Sequence, residues 1–194
     1  FNSLAVVNNN LDIIEFYNKN NLVPFGEFLP LEKFLNNLGI KTITNFYNSY
    51  SPGKKRDIIN LEKHTFDISF LPLICYEIIY SGKLSKNNNY DLIINISEDG
   101  WFGKSIGPMQ HFSHSIFRSI EEGRSIIRST NNGTSALIDP YGQIYKLSES
   151  TYEGVIEINQ IKNPKKTFFS RNGNNMFFYF ITIYISLIFF FKNK

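Results

Sequence analysis

The chain has 194 residues, of which 42% are hydrophobic, 16% aromatic and 19% charged, with a formal net charge of +3. This is enough to bury one ordinary domain core and too apolar for a disordered polyampholyte; so small a positive charge, carried by scattered lysines, gives no argument for a nucleic-acid partner. A single cysteine excludes an internal disulfide, and His64, His111 and His114 lack the Cys/His spacing of a metal site, so no metal is expected.

In chain order, residues 3–7 (SLAVV) read as a strand, the run Asn8-Asn9-Asn10 as a turn, and residues 13–17 as a second short strand. Between Lys19 and Glu27, Pro24 and Gly26 predict a rigid turn that brings the two side chains to one place. Apolar residues at 31, 34, 35 and 38 predict a helix over 31–38, residues 50–53 a loop, and Gly53-Lys54-Lys55-Arg56 a solvated basic loop. Residues 65–74 alternate and then become wholly apolar, as a strand does on entering a buried sheet, which places Cys75 at that strand's carboxyl end. Ligands bind at such ends in open α/β sheets.

A second buried strand is expected over 91–96, followed by the polar, glycine-bearing segment 97–103. A helix over 108–122 starts with Pro108 in its first turn and stops at Gly123. Strands over 125–128, 134–138 and 154–158 complete a sheet-rich second half. Residues 1–168 therefore form one α/β domain without repeats, 169–175 a linker, and 176–192 a membrane helix: the sixteen residues MFFYFITIYISLIFFF carry no charge and would rise about 24 Å as a helix against a hydrocarbon core of about 30 Å. Charges flank that segment on both sides, so charge counting does not orient it. The start at Phe1, with Met109 and Met176 the only methionines, suggests a fragment or a processed chain.

The chemistry turns on Cys75, set in the apolar run FLPLICYEIIY. Taken alone, a free cysteine most often packs as a small apolar side chain. As a nucleophile it must ionise, and a reference pKa of about 8.5 leaves only a few per cent as thiolate near neutrality. An ammonium such as that of Lys19 would stabilise the thiolate and then the oxyanion of a tetrahedral intermediate, beside the backbone N–H that follows the nucleophile. A carboxylate must still take the thiol proton, and Glu27 and Glu77 are the local candidates.

Several long segments occur in one order: Lys19 with LVPFGEFLP at 22–30, ICYE at 74–77, WFGKSIGP at 101–108, QHF at 110–112 and RSTNNG at 128–133. Together they resemble the apolipoprotein N-acyltransferases of Gram-negative bacteria, in the nitrilase (carbon–nitrogen hydrolase) superfamily. The resemblance implies a nitrilase-like α-β-β-α sandwich, incomplete at its N-terminal side, followed by one C-terminal transmembrane helix. It implies an enzyme of the bacterial inner membrane, its catalytic domain facing the periplasm, monomeric and without a cofactor, because a cysteine thioester itself stores the acyl group. The acyl donor would be a phospholipid, and the acceptor the N-terminal amine of a diacylglyceryl-cysteine apolipoprotein. Of the family's Glu-Lys-Cys triad, Lys19 and Cys75 carry over as electrostatic lysine and nucleophile. Glu27 and Glu77 match supporting positions, and Tyr76 supplies the N–H beside the thiol.

The match departs from the family in two places. The family's base glutamate lies well upstream of the lysine, and Glu15 is too close to Lys19 to fill that place. Glu98 stands where the family usually has an asparagine before Trp-Phe-Gly. Two other readings stand beside the acyltransferase: a soluble nitrilase-type amidase using water, and an inactive remnant or one part of a split enzyme. Phe25, Trp101, Phe102 and Met109 are candidates for a lipid-accessible mouth or for plain packing.

Overall fold

The computed structural model describes residues 1–31, 37, 49–61, 67–82, 84, 89–148, 155, 158, 161–162 and 166–192. Most of the helix expected over 31–38 and of the strand expected over 154–158 lies outside these residues, as do the first two positions of the strand expected over 65–74.

Alternation along the strands sorts the core into two layers. Strands β3 (Ile59–Asn60), β4 (Ser69–Ile74), β5 (Leu92–Glu98), β6 (Ser125–Asn131), β7 (Ser135–Ile138) and β8 (Ile144–Ser148) form a six-stranded sheet in that order. Strands β4, β5 and β6 run parallel at its centre, and the other pairings are antiparallel. Leu71, Leu73, Ile93, Ile126 and Ile138 cluster on one face with Phe112 and Ile116 of helix α1 (Gly107–Glu122). Their neighbours Phe70, Ile74 and Leu92 pack on the other face with Leu4 and Tyr17, which belong to an antiparallel hairpin of β1 (Ser3–Val7) and β2 (Ile13–Asn18). Coverage on both faces is why the central strands read as continuous apolar runs.

Pro72 sits inside β4, where a sheet normally rejects proline. Ile74 turns its N–H away from β5 to a side chain of the Cys75 turn, and by the two-residue period Pro72 faces the same way. On that side β3 pairs only with Ser69 and Phe70, so no ladder bond is lost.

Helix α1 begins with proline in its first turn and ends on Gly123, whose φ of 63° is the left-handed value glycine accepts without strain. Its buried stripe is unusual: His111, Ser115, Arg118, Ser119 and Glu122 face inward, while Phe117 and Ile120 are exposed. Two of the inward polar groups are held by the fold itself: Arg118 donates to the Ile79 carbonyl at 3.1 Å and Tyr90 donates to Glu122 at 2.8 Å. Burial raises the Glu122 carboxyl above its ordinary value, with Tyr90 opposing the shift.

The segment read as a linker contains a short helix, α2 (Phe168–Asn172), capped by Thr167, whose hydroxyl accepts from the Ser170 N–H at 2.9 Å. After it, α3 (Asn175–Lys192) is apolar all round, and none of its residues is buried. Its 18 residues span about 27 Å. Thr182 and Ser186 return their hydroxyls to carbonyls one turn back at 2.8 Å, which pairs these two donors within the helix. By length and composition this helix is able to cross a membrane.

One close approach ties the hairpin to the basic segment. Gly53 donates to the Lys19 carbonyl at 2.8 Å, and a Cβ there would lie 2.2 Å from the backbone oxygen of Asn18. Backbone cannot yield as a side-chain tip can, so Gly53→Ala is expected to cost about 2 kcal/mol or more and to lower the thermal midpoint. An unchanged midpoint would show that the two segments are not held this tightly.

Candidate active site

The site is built on a strained turn. β4 ends at Ile74, and Cys75 begins a 3₁₀ helix (Cys75–Ile79) with a φ of +50°, a conformation that costs a non-glycine residue about 1 kcal/mol or more. The turn sits at the carboxyl ends of parallel β4 and β5, the expected location. Cys75 is half-buried and lines a cavity of about 550 Å³ together with Lys19, Glu27, Tyr76, Glu98 and His111.

Glu77 makes the turn possible. This carboxylate is fully buried and accepts from the Ile74 N–H at 2.9 Å, the Tyr17 hydroxyl at 2.7 Å and the Asn20 and Asn21 N–H groups at 3.0 and 2.9 Å. Two of those donors belong to the lysine loop and one to the end of β4, so a single carboxylate joins the segments carrying Lys19 and Cys75. Burial first, and then the neighbouring Glu77 charge, drive the Tyr17 hydroxyl well above its ordinary pKa, which keeps it a proton donor. Arg56 approaches Glu77 at 3.5 Å and donates to Asn21 and to the Leu84 carbonyl. The basic segment is therefore solvated only at Lys54 and Lys55; Arg56 turns inward because the buried carboxylate attracts it.

Lys19 is 1% exposed, and its Nζ lies 2.9 and 2.8 Å from the two oxygens of Glu27. An ammonium so buried persists only when paired. Glu27 is positioned in turn by the Val23 N–H at 2.8 Å and the Asn2 amide at 2.9 Å. The chain between them is the expected turn, with the Glu27 N–H returning to the Val23 carbonyl at 2.8 Å.

Behind the cysteine lies a polar cluster that the motif reading did not assemble. Asp99 is fully buried, accepts from Arg128 at 2.8 and 3.0 Å and from Ser97 at 2.9 Å, and faces His111 Nδ1 at 2.9 Å. Arg128 also donates to Asn95, which donates to the Leu73 carbonyl at 3.2 Å. The other nitrogen of His111 lies 3.3 Å from the carbonyl oxygen of Cys75. Burial opposes ionisation of Asp99, yet the His111 and Arg128 contacts outweigh it and hold the carboxyl below its ordinary value. The one sequence signal was the presence of QHF and RSTNNG among the family-like segments; their meeting depends on α1 and β6 packing together.

At the mouth, Glu98 accepts from the Gly100 N–H at 2.6 Å and from the side chains of Asn131 and Asn132 at 3.0 and 3.3 Å. Partial burial works against its charge, but these bonds win and lower its pKa. The asparagines of RSTNNG thus accommodate a glutamate at a position read from the family as asparagine. Trp101 and Phe102 line the cavity while staying substantially exposed; Phe25 and Met109 are exposed nearby in the chain.

The carbon–nitrogen hydrolase family model matches residues 1–161. Apolipoprotein N-acyltransferase from Brucella melitensis biotype 1 is 35% identical over 172 residues, covering 88% of this chain and 32% of that protein. The Rickettsia typhi protein of the same name is 42% identical over 175 residues, covering 88% and 33%. The chain thus spans about a third of the length of these curated relatives. Among solved structures, an amidase from Nesterenkonia sp. AN1, with the acetamide moiety of fluoroacetamide added covalently at its active-site cysteine, superposes with a TM-score of 0.51 at 13% identity, over 76% of this chain and 51% of that one. This likeness shows a shared fold, the nitrilase-like α/β fold expected from the motifs.

Removing the Glu77 carboxylate as Glu77→Ala strands buried donors on two segments, so a loss of about 3 kcal/mol or more is expected, with faster amide exchange at Asn20, Asn21 and Ile74. Exchange confined to residue 77 would contradict its joining role. Asp99 gives a pH signature. Its folded pKa lies below the unfolded value of about 4, so the stability it contributes is present above that value and lost as pH falls through the folded one. Melting curves from pH 7 downward should decline more steeply for the native chain than for Asp99→Asn; parallel curves would show that the cluster is not ionised as described.

Proposed function

The chain belongs to the carbon–nitrogen hydrolase family, and on that footing we propose that it carries the nucleophile of an N-acyltransferase that moves a fatty acyl chain from a phospholipid to the N-terminal amine of a diacylglyceryl-cysteine apolipoprotein. The observation that carries the reading is the shared cavity: a cysteine held in a strained turn at the end of a parallel strand, facing a space also lined by a buried, paired lysine.

In this reading the Cys75 thiolate attacks the ester carbonyl of the phospholipid. A C–S bond forms and the carbonyl electron pair moves to oxygen, where the Lys19 ammonium and the Tyr76 N–H stabilise it. Collapse expels the lysophospholipid alkoxide, which takes a proton and leaves the acyl group as a Cys75 thioester. The apolipoprotein amine then attacks the thioester, an amide forms, and the thiolate leaves as the amine loses its proton. Glu27 holds the Lys19 Nζ in place, and Glu77 keeps the two segments together.

The proton acceptor is the missing part. Among the described residues the carboxylates lining the cavity are Glu27 and Glu98, and both are engaged, Glu27 by Lys19, Asn2 and Val23 and Glu98 by Gly100 and two asparagines. The proposed base therefore comes from the portion of the relatives that this chain does not span. The predominantly apolar α3 anchors the molecule, as a monomer, in the bacterial inner membrane with the cavity on the periplasmic side. Both substrates carry chains that leave a bilayer only at high cost, which suits an anchored enzyme.

Mass spectrometry after incubation with phospholipid is expected to show an acyl adduct on Cys75, absent in Cys75→Ala and formed about 100-fold more slowly in Lys19→Met. An adduct that survives the Cys75 change would end the nucleophile assignment. Release of ammonia from small amides, without acyl transfer from phospholipid, would favour the amidase reading. Adduct formation by an upstream-extended protein but not by this chain alone would place the base upstream.

A further inference from the structure

Nothing in the mechanism above uses His111, although it is 4% exposed, lines the cavity and lies 3.3 Å by its Nε2 from the carbonyl oxygen of Cys75. A carbonyl oxygen only accepts, so this contact is a hydrogen bond only in the tautomer with the hydrogen on Nε2, in which Nδ1 accepts from Arg128 at 3.3 Å. The ring has little freedom to leave. Asp99 faces Nδ1 at 2.9 Å, Arg128 grips Asp99 through both oxygens, and Phe102 lies against the ring with centroids 5.5 Å apart. Its backbone is set in α1, against the 3₁₀ turn.

The contact matters because of the peptide to which that carbonyl belongs. The bond between Cys75 and Tyr76 is trans and planar, so its C=O and N–H point in opposite directions. Holding the oxygen fixes the direction of the Tyr76 N–H, and a donor on the oxygen polarises the peptide and strengthens that N–H as a donor in turn. Cys75 has a positive φ at the first residue of the 3₁₀ helix, so the peptide that follows it lies at the edge of that turn, where His111 reaches its oxygen.

We propose that His111 is a positioning residue for the oxyanion hole: held by the Asp99–Arg128 cluster, it grips the Cys75 carbonyl from the buried side and so aims the Tyr76 N–H at the oxygen that becomes negative during acyl transfer. The role is distinct from that of Lys19, which contributes charge directly. It is also distinct from activation of the thiol, since the ring meets the backbone oxygen and not the sulfur in this contact. The inference rests on Cys75 accepting an acyl group.

Two reactions of the same sulfur separate this role from simple structural support. Acylation by p-nitrophenyl octanoate forms a C–S bond, pushes the carbonyl pair onto oxygen and expels p-nitrophenolate, so it needs the hole. Alkylation by iodoacetamide displaces iodide in one step and forms no oxyanion. Both are to be run on the intact chain in detergent at about pH 9, where a thiol ionises without a base. His111→Ala is expected to slow acylation about ten- to a hundred-fold and to leave alkylation within about two-fold, while His111→Gln, whose amide keeps an N–H within reach of the carbonyl, recovers most of the loss. Equal slowing of both reactions would reduce His111 to a structural support, and unchanged acylation would remove it from the site; either overturns the inference while the acyl-enzyme reading stands. Failure of the native chain to acylate, with normal alkylation, would instead overturn that reading, and the inference with it.

Discussion

One buried carboxylate holds the site together. Glu77 lies three residues after the end of β4, and its oxygens are occupied by donors from the Ile74 backbone, the lysine loop and Tyr17. A desolvated charge is costly unless its lone pairs are filled, so each donor must arrive for the others to be worth burying. That mutual dependence brings the lysine loop against the cysteine turn although 56 residues separate Lys19 from Cys75 in the chain. The strain at Cys75 is tolerated for the same reason: the turn is held on one side by Glu77 and on the other by the contact with His111.

A second consequence concerns how α1 is used. An amphipathic helix on a sheet normally presents its apolar face inward, but here the inward stripe is largely polar, and Met109, Phe117 and Ile120 are exposed. The polar stripe meets carbonyls and carboxylates that the strand ends and the 3₁₀ turn leave exposed inside the fold, notably at Cys75 and Ile79. The sheet supplies the apolar mass of the core, and the helix supplies donors to backbone groups that strand pairing does not satisfy. A site at strand ends requires some such supply, because ladders stop there.

Much was legible in advance where the signal was local. The apolar runs of β4 and β5, the proline and glycine bounding α1, the turn between Lys19 and Glu27 and the uncharged run of α3 all follow from neighbours in the chain, and each appears in the structure with small shifts of boundary. The pairing of Asp99, Arg128 and His111 was not legible. Those residues come from a 3₁₀ turn, a strand and a helix, and each taken singly reads as an ordinary polar residue; the same holds for Arg56, which a run of basic neighbours makes look solvated. The motif segments QHF and RSTNNG were visible as family-like strings without revealing that they meet behind the cysteine.

By itself, the sequence determined the buried core strands, the position of Cys75 at a strand end and the apolar terminal helix, because hydrophobic periodicity and turn chemistry act over a few residues. Only the tertiary structure decided that Lys19 and Cys75 share a cavity, that Glu77 links their segments and that His111 reaches the cysteine's carbonyl. Those contacts depend on hydrogen-bond geometry between elements far apart in the chain, and such geometry exists only once the sheet has set their distances.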